Sequence, residues 1–234
     1  MVFYDFLLPN RNEDILYAQA EKFDITPIFL YDFKSKIDIL NKKNELREKK
    51  FNCYIGVYTI PSSVRDIKKI TKLWLLADFT IILQPKELIK FAASTYKIDA
   101  IFQIPTIFGK DTVEYKLSYW DDALVKLAKK NGVCYGIDFS NILLNDGYAR
   151  AKLLGREAQN VSFCKGKLPI LIGSFARNPI EMRLPENLCA FGRILGLSAP
   201  EARAAISQNY ELILKEKEER RSLKFVAPKI KLID

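Results

Sequence analysis

The sequence predicts an α/β fold built on a parallel sheet, and two patterns along the chain point to it. Seven apolar or β-branched runs have strand length, and segments with the apolar spacing of helices separate most of them. Strands that alternate with helices at roughly 20–35-residue spacing indicate βα units, because two parallel strands need a crossover connection. Seven such units can close into an irregular TIM-like barrel, and an open doubly wound sheet is the alternative. A length of 234 residues permits either fold.

The strand and helix patterns can be placed along the chain. The apolar runs begin near Val2, Pro27, Asn52, Phe79, Ala100, Val133 and Leu168. Helical patterns cover residues 13–22, 36–49, 85–94, 121–131 and 144–165. The fourth of these helices opens with Asp121 and closes with Lys129, Lys130 and Gly132. That order matches the helix dipole and the preference for glycine after the last turn.

The last strand pattern is followed by a loop and a further helix. The strand part, LPILIG at residues 168–173, is a continuous apolar run typical of a strand buried on both faces. Pro185 suits the first turn of the helix, and Gly196 suits the position just after its end. The loop carries Ser174, Arg177 and Arg183. Because function in α/β proteins lies beyond the carboxyl ends of the strands, we expect this loop to be functional.

A single domain accounts for the chain up to residue 214. Ser198 and Glu201 form a capping box that starts another helix, and an apolar segment follows at residues 210–214. Residues 215–234 are rich in charge, and their apolar residues follow neither a helical nor a strand period. We therefore expect residues 1–214 to form the barrel domain and residues 215–234 to form a charged C-terminal tail.

The charge of the chain indicates an acidic partner. The formal net charge is +9 and the pI is near 9.2. Residues 150–193 contain eight Lys or Arg and three Glu, so more than half of the net charge falls within these 44 residues. Nucleic acid is the usual partner of such a basic region.

Most catalytic chemistry is missing from the sequence. The chain has no histidine, which removes the commonest general base and the commonest metal ligand. Ser174 lacks a nucleophile elbow, and no glycine-rich phosphate loop is present. The four cysteines are widely scattered in apolar segments, which predicts free thiols. One metal hypothesis stays open: Asp5 and Asp138 could both point into a barrel mouth and share a magnesium ion. Alternatively, they could anchor loop amides or pair with arginines of the barrel.

Several segments together resemble the ribonuclease P protein component 3 family of archaea and eukaryotes. They are LVKLAKKNGVCYGIDFSN at residues 124–141, YARAKLL at 148–154, IGSFARN at 172–178, RLP at 183–185 and the closing residues 196–214. The resemblance extends more loosely to the earlier strands. It implies a TIM-like barrel, which favours the barrel over the open sheet.

The resemblance also implies a function. In this family the protein is a subunit of ribonuclease P, which removes 5′ leaders from precursor tRNA. The catalytic chemistry belongs to the RNA subunit, with Mg²⁺ bound by RNA and no cofactor bound by the protein chain. The implied partners are the ribonuclease P RNA, component 2 by direct pairing, components 1 and 4 in the same particle, and precursor tRNA as substrate.

Basic side chains near the ends of strands and helices are the candidate RNA contacts. They are Lys90, Lys110, Lys129, Lys130, Arg150, Lys152, Arg156, Arg177 and Arg183. Each could neutralise a phosphate, and several together would give salt-dependent binding to structured RNA. Each could equally be a solvated surface charge.

Two other classes of protein remain as alternatives. One is a stand-alone metal-dependent phosphoesterase or nuclease that uses Asp5 and Asp138. The other is a non-catalytic barrel that only binds a protein partner.

With neither a signal peptide nor a membrane span in the sequence, we expect a cytoplasmic protein. In the predicted helix at residues 144–165, Leu154 and Phe163 fall off the inward face. The hypothesis is that this helix or its immediate neighbour contributes to the component 2 contact, and the alternative is that the two residues pack against the helix that begins at Pro185.

Overall fold

The fold is a barrel of seven parallel strands with helices around it, seen in a computed structural model that describes residues 1–103, 105, 111, 119–221, 225–227 and 230–231. The barrel strands are β1 (Phe3–Leu7), β2 (Ile25–Tyr31), β3 (Tyr54–Thr59), β4 (Phe79–Leu83), β5 (Ala100–Phe102), β6 (Cys134–Asp138) and β7 (Ile170–Gly173). They pair in sequence order, and each neighbouring pair is parallel. All seven predicted strands are therefore confirmed.

Ten helices accompany the strands in the described part of the chain. They are α1 (Glu13–Lys22), α2 (Lys36–Glu48), α3 (Val64–Ile70), α4 (Ile89–Ala93), α5 (Asp122–Asn131), α6 (Phe139–Leu143), α7 (Gly147–Cys164), α8 (Pro185–Ile194), α9 (Ala199–Ala204) and α10 (Gln208–Arg221). The caps predicted for α5 are present: the Asp121 side chain accepts from the Leu124 amide, and Gly132 has φ of 70°. Two further short strands, Phe225–Ala227 and Ile230–Lys231, pair antiparallel.

The barrel closes between β1 and β7 by two different means. At the carboxyl end, Leu7 bridges to Ala176, and the Phe175 amide donates to the Phe6 carbonyl at 2.9 Å. At the amino end, the turn after α9 lies between the two strands. There the Tyr4 amide donates to the Ile206 carbonyl, and the Ile172 amide donates to the Ala205 carbonyl. The closed arrangement confirms the TIM-like barrel and rules out the open sheet.

Aromatic rings fill the interior of the barrel. The buried rings that point inward are Tyr4, Phe6, Phe79, Phe102, Phe175 and Tyr210. Phe6 contacts four of the other five, with ring centroids 5.0 to 5.7 Å apart. Such packing leaves the barrel a solid core, and the outward faces of the strands pack against the helices as a second apolar layer.

Helix α10 covers the amino-terminal end of the barrel. Tyr210 enters the interior, and its hydroxyl donates to the Ile172 carbonyl at 2.8 Å. Lys217 is buried, lies 2.9 Å from the Asp99 carboxylate and donates to the Trp74 carbonyl at 2.8 Å. Arg221 donates to Asp78 at 3.0 Å. These contacts attach the helix to the residues that immediately precede β4 and β5.

The structure corrects the predicted boundary of the tail. The boundary at residue 215 falls inside α10, which continues to Arg221. The charged residues there break the apolar period, yet Lys217 is buried and paired, and Arg220 and Arg221 donate to carbonyls of the barrel.

The predicted free thiols are confirmed, since all four cysteines are unpaired with one another. Within the described residues, none of the helices is long and apolar enough to cross a bilayer.

We expect replacement of Lys217 by Ala to destabilise the fold strongly. Removing one partner of a buried ion pair typically costs about 3–5 kcal/mol, because the other charge stays buried without compensation. Asp99 would be left in that state. Urea unfolding of Lys217→Ala should show this loss, whereas Lys215→Ala, on the exposed side of α10, should stay within about 0.5 kcal/mol of wild type. Equal stabilities for the two variants would contradict the structural role of Lys217.

Candidate functional site

The carboxyl ends of the strands form the mouth of the barrel, and the loop after β7 lies across it. Phe175 adopts a positive φ of 52°, which turns its ring into the interior against Phe6 and Phe102. A non-glycine residue with positive φ is uncommon and must be fixed by its surroundings. This ring fills the barrel interior directly beneath the loop, in the part of the mouth that the structure describes.

Asp5 holds the start of this loop. Its carboxylate accepts from the Ser174 amide at 2.6 Å and from the Ser174 hydroxyl at 2.5 Å. Both residues are fully buried. Burial raises the pKa of Asp5 to about 7, while the hydrogen bonds from Ser174 act in the opposite direction. Ser174 is thus a structural residue that joins β7 to β1, as its lack of catalytic partners suggested.

Arg177 follows on the exposed side of the same loop. Its guanidinium makes no hydrogen bond or ion pair with any part of the chain that the structure describes, and the side chain is exposed. Burial raises the pKa of Asp138 and that of Tyr58, and the positive charge of Arg177 acts against both shifts, so this charge reaches the mouth. Arg177 is therefore the clearest available cation at the mouth.

Arg183 is held by the protein itself. Its guanidinium donates to the carbonyls of Ile180 and Met182, each at 2.8 Å. It also lies 5.6 Å from the ring centre of Phe139. The side chain is half-buried, so it fixes the loop before α8 and offers only part of its surface to a ligand.

Arg150 and Lys152 lie at the start of α7, which is also at the mouth. Arg150 donates to the carbonyls of Asn145 and Leu143, which ends α6, and keeps an exposed side chain. Lys152 lies 5.8 Å from the ring centre of Tyr148, a residue that is 80% exposed. The structure thus brings Arg150, Lys152, Arg177 and Arg183 to the same end of the barrel.

Arg156 is the candidate that the structure argues against. Its side chain is 0% exposed and forms an ion pair with Asp111 at 2.8 Å. It belongs to the inward face of α7, where Leu153 and Asn160 are also buried. The next residue, Glu157, accepts from the buried Tyr135 hydroxyl, and burial raises its pKa to about 8. Arg156 consequently serves the interior of the protein.

The remaining lysine candidates lie away from the mouth or outside the described residues. Lys129 and Lys130 are exposed in the last turn of α5, which leads into the start of β6 at the opposite end of the barrel. Lys90 is exposed on α4, in the outer layer of helices. Lys110 lies outside the described residues. The predicted basic set therefore does not form one continuous surface.

Four basic residues at the mouth were absent from the prediction. They are Arg11, Lys34, Arg65 and Lys86, all exposed. One of them follows each of the first four strands, either in the connecting loop or at the start of the next helix. Arg11 and Lys86 have positive φ. Their position just after a predicted strand could have identified them as mouth residues, since the carboxyl ends of all strands in a parallel barrel meet at one face.

The two acids proposed to share a metal ion face different sides of the barrel wall. Tyr4 and Phe6 point into the barrel, so Asp5 between them points outward, where it binds Ser174. Asp138 lies at the mouth, but it accepts from the Ser140 hydroxyl at 2.7 Å and caps α6. Burial raises the pKa of Asp138 to about 6. The reading in which these acids anchor loop amides is therefore the correct one.

No metal-binding cluster is found among the described residues. Across that part of the chain, nowhere do three or more Asp, Glu or Cys side chains converge as they would around an ion. The chain has no His to add to them. The described residues thus do not fit the metal-dependent phosphoesterase hypothesis.

The predicted protein-contact residues on α7 also need correction. Leu154 and Phe163 are partly buried and pack against the outer apolar layer of the barrel. They are therefore half-buried and packed against the barrel, and not fully exposed. The exposed apolar side chains of this region are Leu144 and Tyr148, at 72% and 80% exposure, just before and at the start of α7.

The fold and this mouth define a class of protein: a TIM-like barrel with a filled interior, acids committed to loop structure, and exposed basic side chains at the carboxyl ends of its strands. The family model described as RNase P subunit p30 matches residues 31–222. The chain belongs to this family.

Two curated relatives and one solved structure agree with the assignment. Ribonuclease P protein component 3 of Thermococcus kodakarensis is 32% identical over 89 residues, which are 38% of this chain and 40% of that protein. The component 3 protein of Methanocaldococcus jannaschii is 24% identical over 185 residues, 77% of each protein. A chain in the cryo-EM structure of archaeal ribonuclease P with mature tRNA aligns with a TM-score of 0.77 at 21% identity, covering 99% of this chain and 98% of that one.

The extent of these matches differs between relatives. In the first three curated relatives the matched segment spans 14%, 40% and 43% of their length, so this chain covers less than half of each. The similarity in structure shows the shared barrel fold.

We predict that Asp5 makes the protein less stable as the pH rises. A carboxyl whose pKa is about 7 when folded and 3.8 normally binds more protons in the folded state, so its stabilising effect is lost as pH rises from about 4 towards 7 and above. Asn can accept from the Ser174 amide and donate to its hydroxyl, as a neutral Asp does. Urea unfolding at pH 5.5 and 8 should show a smaller pH dependence for Asp5→Asn than for wild type.

A matched control for this effect is Glu48→Gln, a neutralised acid on the exposed surface of α2. It should follow the wild-type pH curve, because Asp5 and the other two acids with raised pKa values, Asp138 and Glu157, stay in place. The same pH dependence in Asp5→Asn as in wild type would show that the Asp5 carboxyl does not titrate in this way.

Proposed function

We propose that this chain is a protein subunit of ribonuclease P, the endoribonuclease that removes 5′ leaders from precursor tRNA. The observation that carries the proposal is the mouth of the barrel: its interior is filled by Phe175 and its neighbours, while Arg177 stands exposed above it. Such a mouth can bind phosphates, and among the described residues no three acids converge to hold a metal ion for hydrolysis. Membership of the RNase P subunit p30 family supports the same function.

In this proposal the catalytic chemistry belongs to the RNA subunit. Mg²⁺ is held by that RNA, and the protein chain binds no cofactor of its own. The contribution of the protein is to neutralise phosphates and so stabilise the folded RNA, since basic side chains release counterions when they contact a phosphate backbone. This role needs exposed cations in a fixed arrangement and no catalytic residue.

The protein partners belong to the proposal as well. We infer direct pairing with component 2 and a place beside components 1 and 4 in one cytoplasmic particle that acts on precursor tRNA. Tyr148 suits the pairing better than Leu154 and Phe163, because an exposed aromatic side chain is the usual anchor of a protein interface, and Leu144 adds exposed apolar area near it. Both lie beside Arg150, which could reach an acidic partner surface.

The RNA contacts are assigned to the mouth. Arg177 is the principal contact, with Arg150, Lys152 and part of Arg183 beside it and the four newly recognised residues on the other loops of the mouth. Lys90, Lys110, Lys129 and Lys130 stay candidates for separate contacts elsewhere on the particle. Arg156 is left out because its guanidinium is buried against Asp111.

We predict that the pure chain does not cleave precursor tRNA, and that cleavage appears when the RNA subunit is supplied. The chain alone should be inactive with Mg²⁺ or Mn²⁺, because no three described Asp, Glu or Cys side chains converge to hold a metal ion. The RNA subunit with component 2 should gain activity on addition of this chain. Cleavage by the chain alone that Asp138→Asn abolishes would overturn the proposal in favour of the nuclease alternative.

We predict that Arg177→Ala weakens binding of the ribonuclease P RNA and lowers its salt dependence. Loss of one phosphate contact should reduce the slope of log affinity against log salt by about 0.7 to 0.9. Filter binding over a range of salt concentrations measures both quantities. The matched control is Arg193→Ala, since Arg193 is exposed in the last turn of α8, at the other end of the barrel. Unchanged affinity and slope in Arg177→Ala would remove this loop from the RNA surface.

A further inference from the structure

Two side chains from different parts of the chain hold the backbone of Arg177 from opposite sides. The Arg177 amide donates to Oε2 of Glu181 at 2.8 Å. The Arg177 carbonyl accepts from Nδ2 of Asn12, also at 2.8 Å. Both polar groups of this residue's backbone are therefore satisfied by side chains, and neither takes part in a helix or strand.

Each of the two holding residues is itself fixed. Glu181 accepts from Nδ2 of Asn178 at 2.6 Å, and its own amide donates to Oδ1 of Asn178. Asn12 accepts from the Asn10 amide at 2.8 Å. Asn12 precedes α1, where an Asn side chain would ordinarily cap the helix, but here it makes no capping hydrogen bond. Its amide group is directed to Arg177 instead.

We propose that Asn12 and Glu181 are positioning residues that orient Arg177 for the RNA phosphate backbone. The inference rests on the proposed function, because it concerns how the same loop binds RNA. A loop that is ordered before binding does not lose its conformational freedom when the ligand arrives, so the affinity is higher than for the same side chain on a loose loop. Neither Asn12 nor Glu181 needs to touch the RNA for this effect.

The charge of Glu181 allows its positioning role to be tested, because positioning and charge repulsion predict opposite changes in RNA affinity when Glu181 is removed. A carboxylate beside a phosphate-binding arginine repels RNA, so if Glu181 acted only through its charge, removing it would raise the affinity. If it holds the Arg177 backbone, removing it lowers the affinity. Asn12 is neutral, and its replacement changes the hydrogen bond without changing the charge of the mouth.

The experiment compares Asn12→Ala, Glu181→Ala and Glu186→Ala in the full-length chain, with binding of the transcribed ribonuclease P RNA as the measurement. Glu186 lies exposed in the first turn of α8 and makes no hydrogen bond to Arg177, so it is the control for loss of one negative charge. We expect Asn12→Ala and Glu181→Ala to bind roughly threefold to tenfold more weakly, the range that one hydrogen bond supports. Glu186→Ala should bind as tightly as wild type or more tightly.

The same replacements in an Arg177→Ala background test whether the effect passes through Arg177. We expect Asn12→Ala and Glu181→Ala to have no further effect there, since there is no guanidinium left to orient. Thermal unfolding identifies any variant that fails to fold, and Glu181→Gln, which keeps an acceptor for the Arg177 amide, should restore most of the binding lost in Glu181→Ala.

The outcomes separate this inference from the proposed function. Wild-type binding by Asn12→Ala and Glu181→Ala, with weakened binding by Arg177→Ala, would overturn the positioning role and leave the RNA contact intact. Tighter binding by Glu181→Ala would also overturn it, because Glu181 would then act only as a charge. If Arg177→Ala itself binds like wild type, the RNA contact proposed for this loop fails, and the positioning role fails with it.

Discussion

The aromatic packing inside the barrel is the constraint on which the rest of the structure depends. Protein interiors are close-packed, so each ring must find a space of its own size. Glycine provides that space at two inward positions of β6 and β7. A Cβ atom on Gly136 would lie 2.5 Å from ring atoms of Phe102, and one on Gly173 would lie 3.0 Å from Phe6. The rings and glycines together fill the interior up to the loop at the mouth.

A filled interior decides where polar groups can go. Alternate residues of a strand face opposite sides, so the Phe6 and Tyr4 rings inside place the Asp5 carboxylate outside, in the seam with Ser174. Asp138 at the mouth is committed to Ser140 and to the start of α6. The acids that could have formed a metal site are thus separated by the barrel wall and occupied by structural hydrogen bonds. The surface that remains for a ligand is made of loops.

The strands and most helix ends could be predicted from the sequence, because apolar runs, prolines, glycines and capping residues determine structure over short distances. The orientation of Asp5 could also have been predicted. It lies between two aromatic residues of a strand, and if these point into the barrel, Asp5 must point outward. Arg156 gives a similar case. Its spacing of three from Leu153 and four from Asn160 places it on the buried face of α7, although an arginine is normally read as a surface residue.

Other features could not be predicted because they depend on contacts between distant residues. The ion pair between Lys217 and Asp99 joins residues in α10 and before β5, and only the folded chain shows that this charged segment belongs to the barrel. The same holds for Asn12 and Arg177, which are 165 positions apart. Sequence spacing identifies Arg177 as a cation in a loop. The hydrogen bond from Asn12 to its backbone forms only because the barrel closes between β1 and β7.

The direction of the barrel adds a positive contribution to the electrostatic potential at its mouth. In βα units every helix starts at the carboxyl ends of the strands, so the positive ends of the helix dipoles collect at the mouth. The acids found there are largely used as caps: hydrogen bonds from Ser63 and Ser62 lower the pKa of Asp66 to about 2, and Asp121 and Asp138 cap α5 and α6. Their negative charge is balanced locally by backbone amides. The charge of Arg177, by contrast, has no such partner in the described structure, which is why the proposed phosphate contact is centred on this residue.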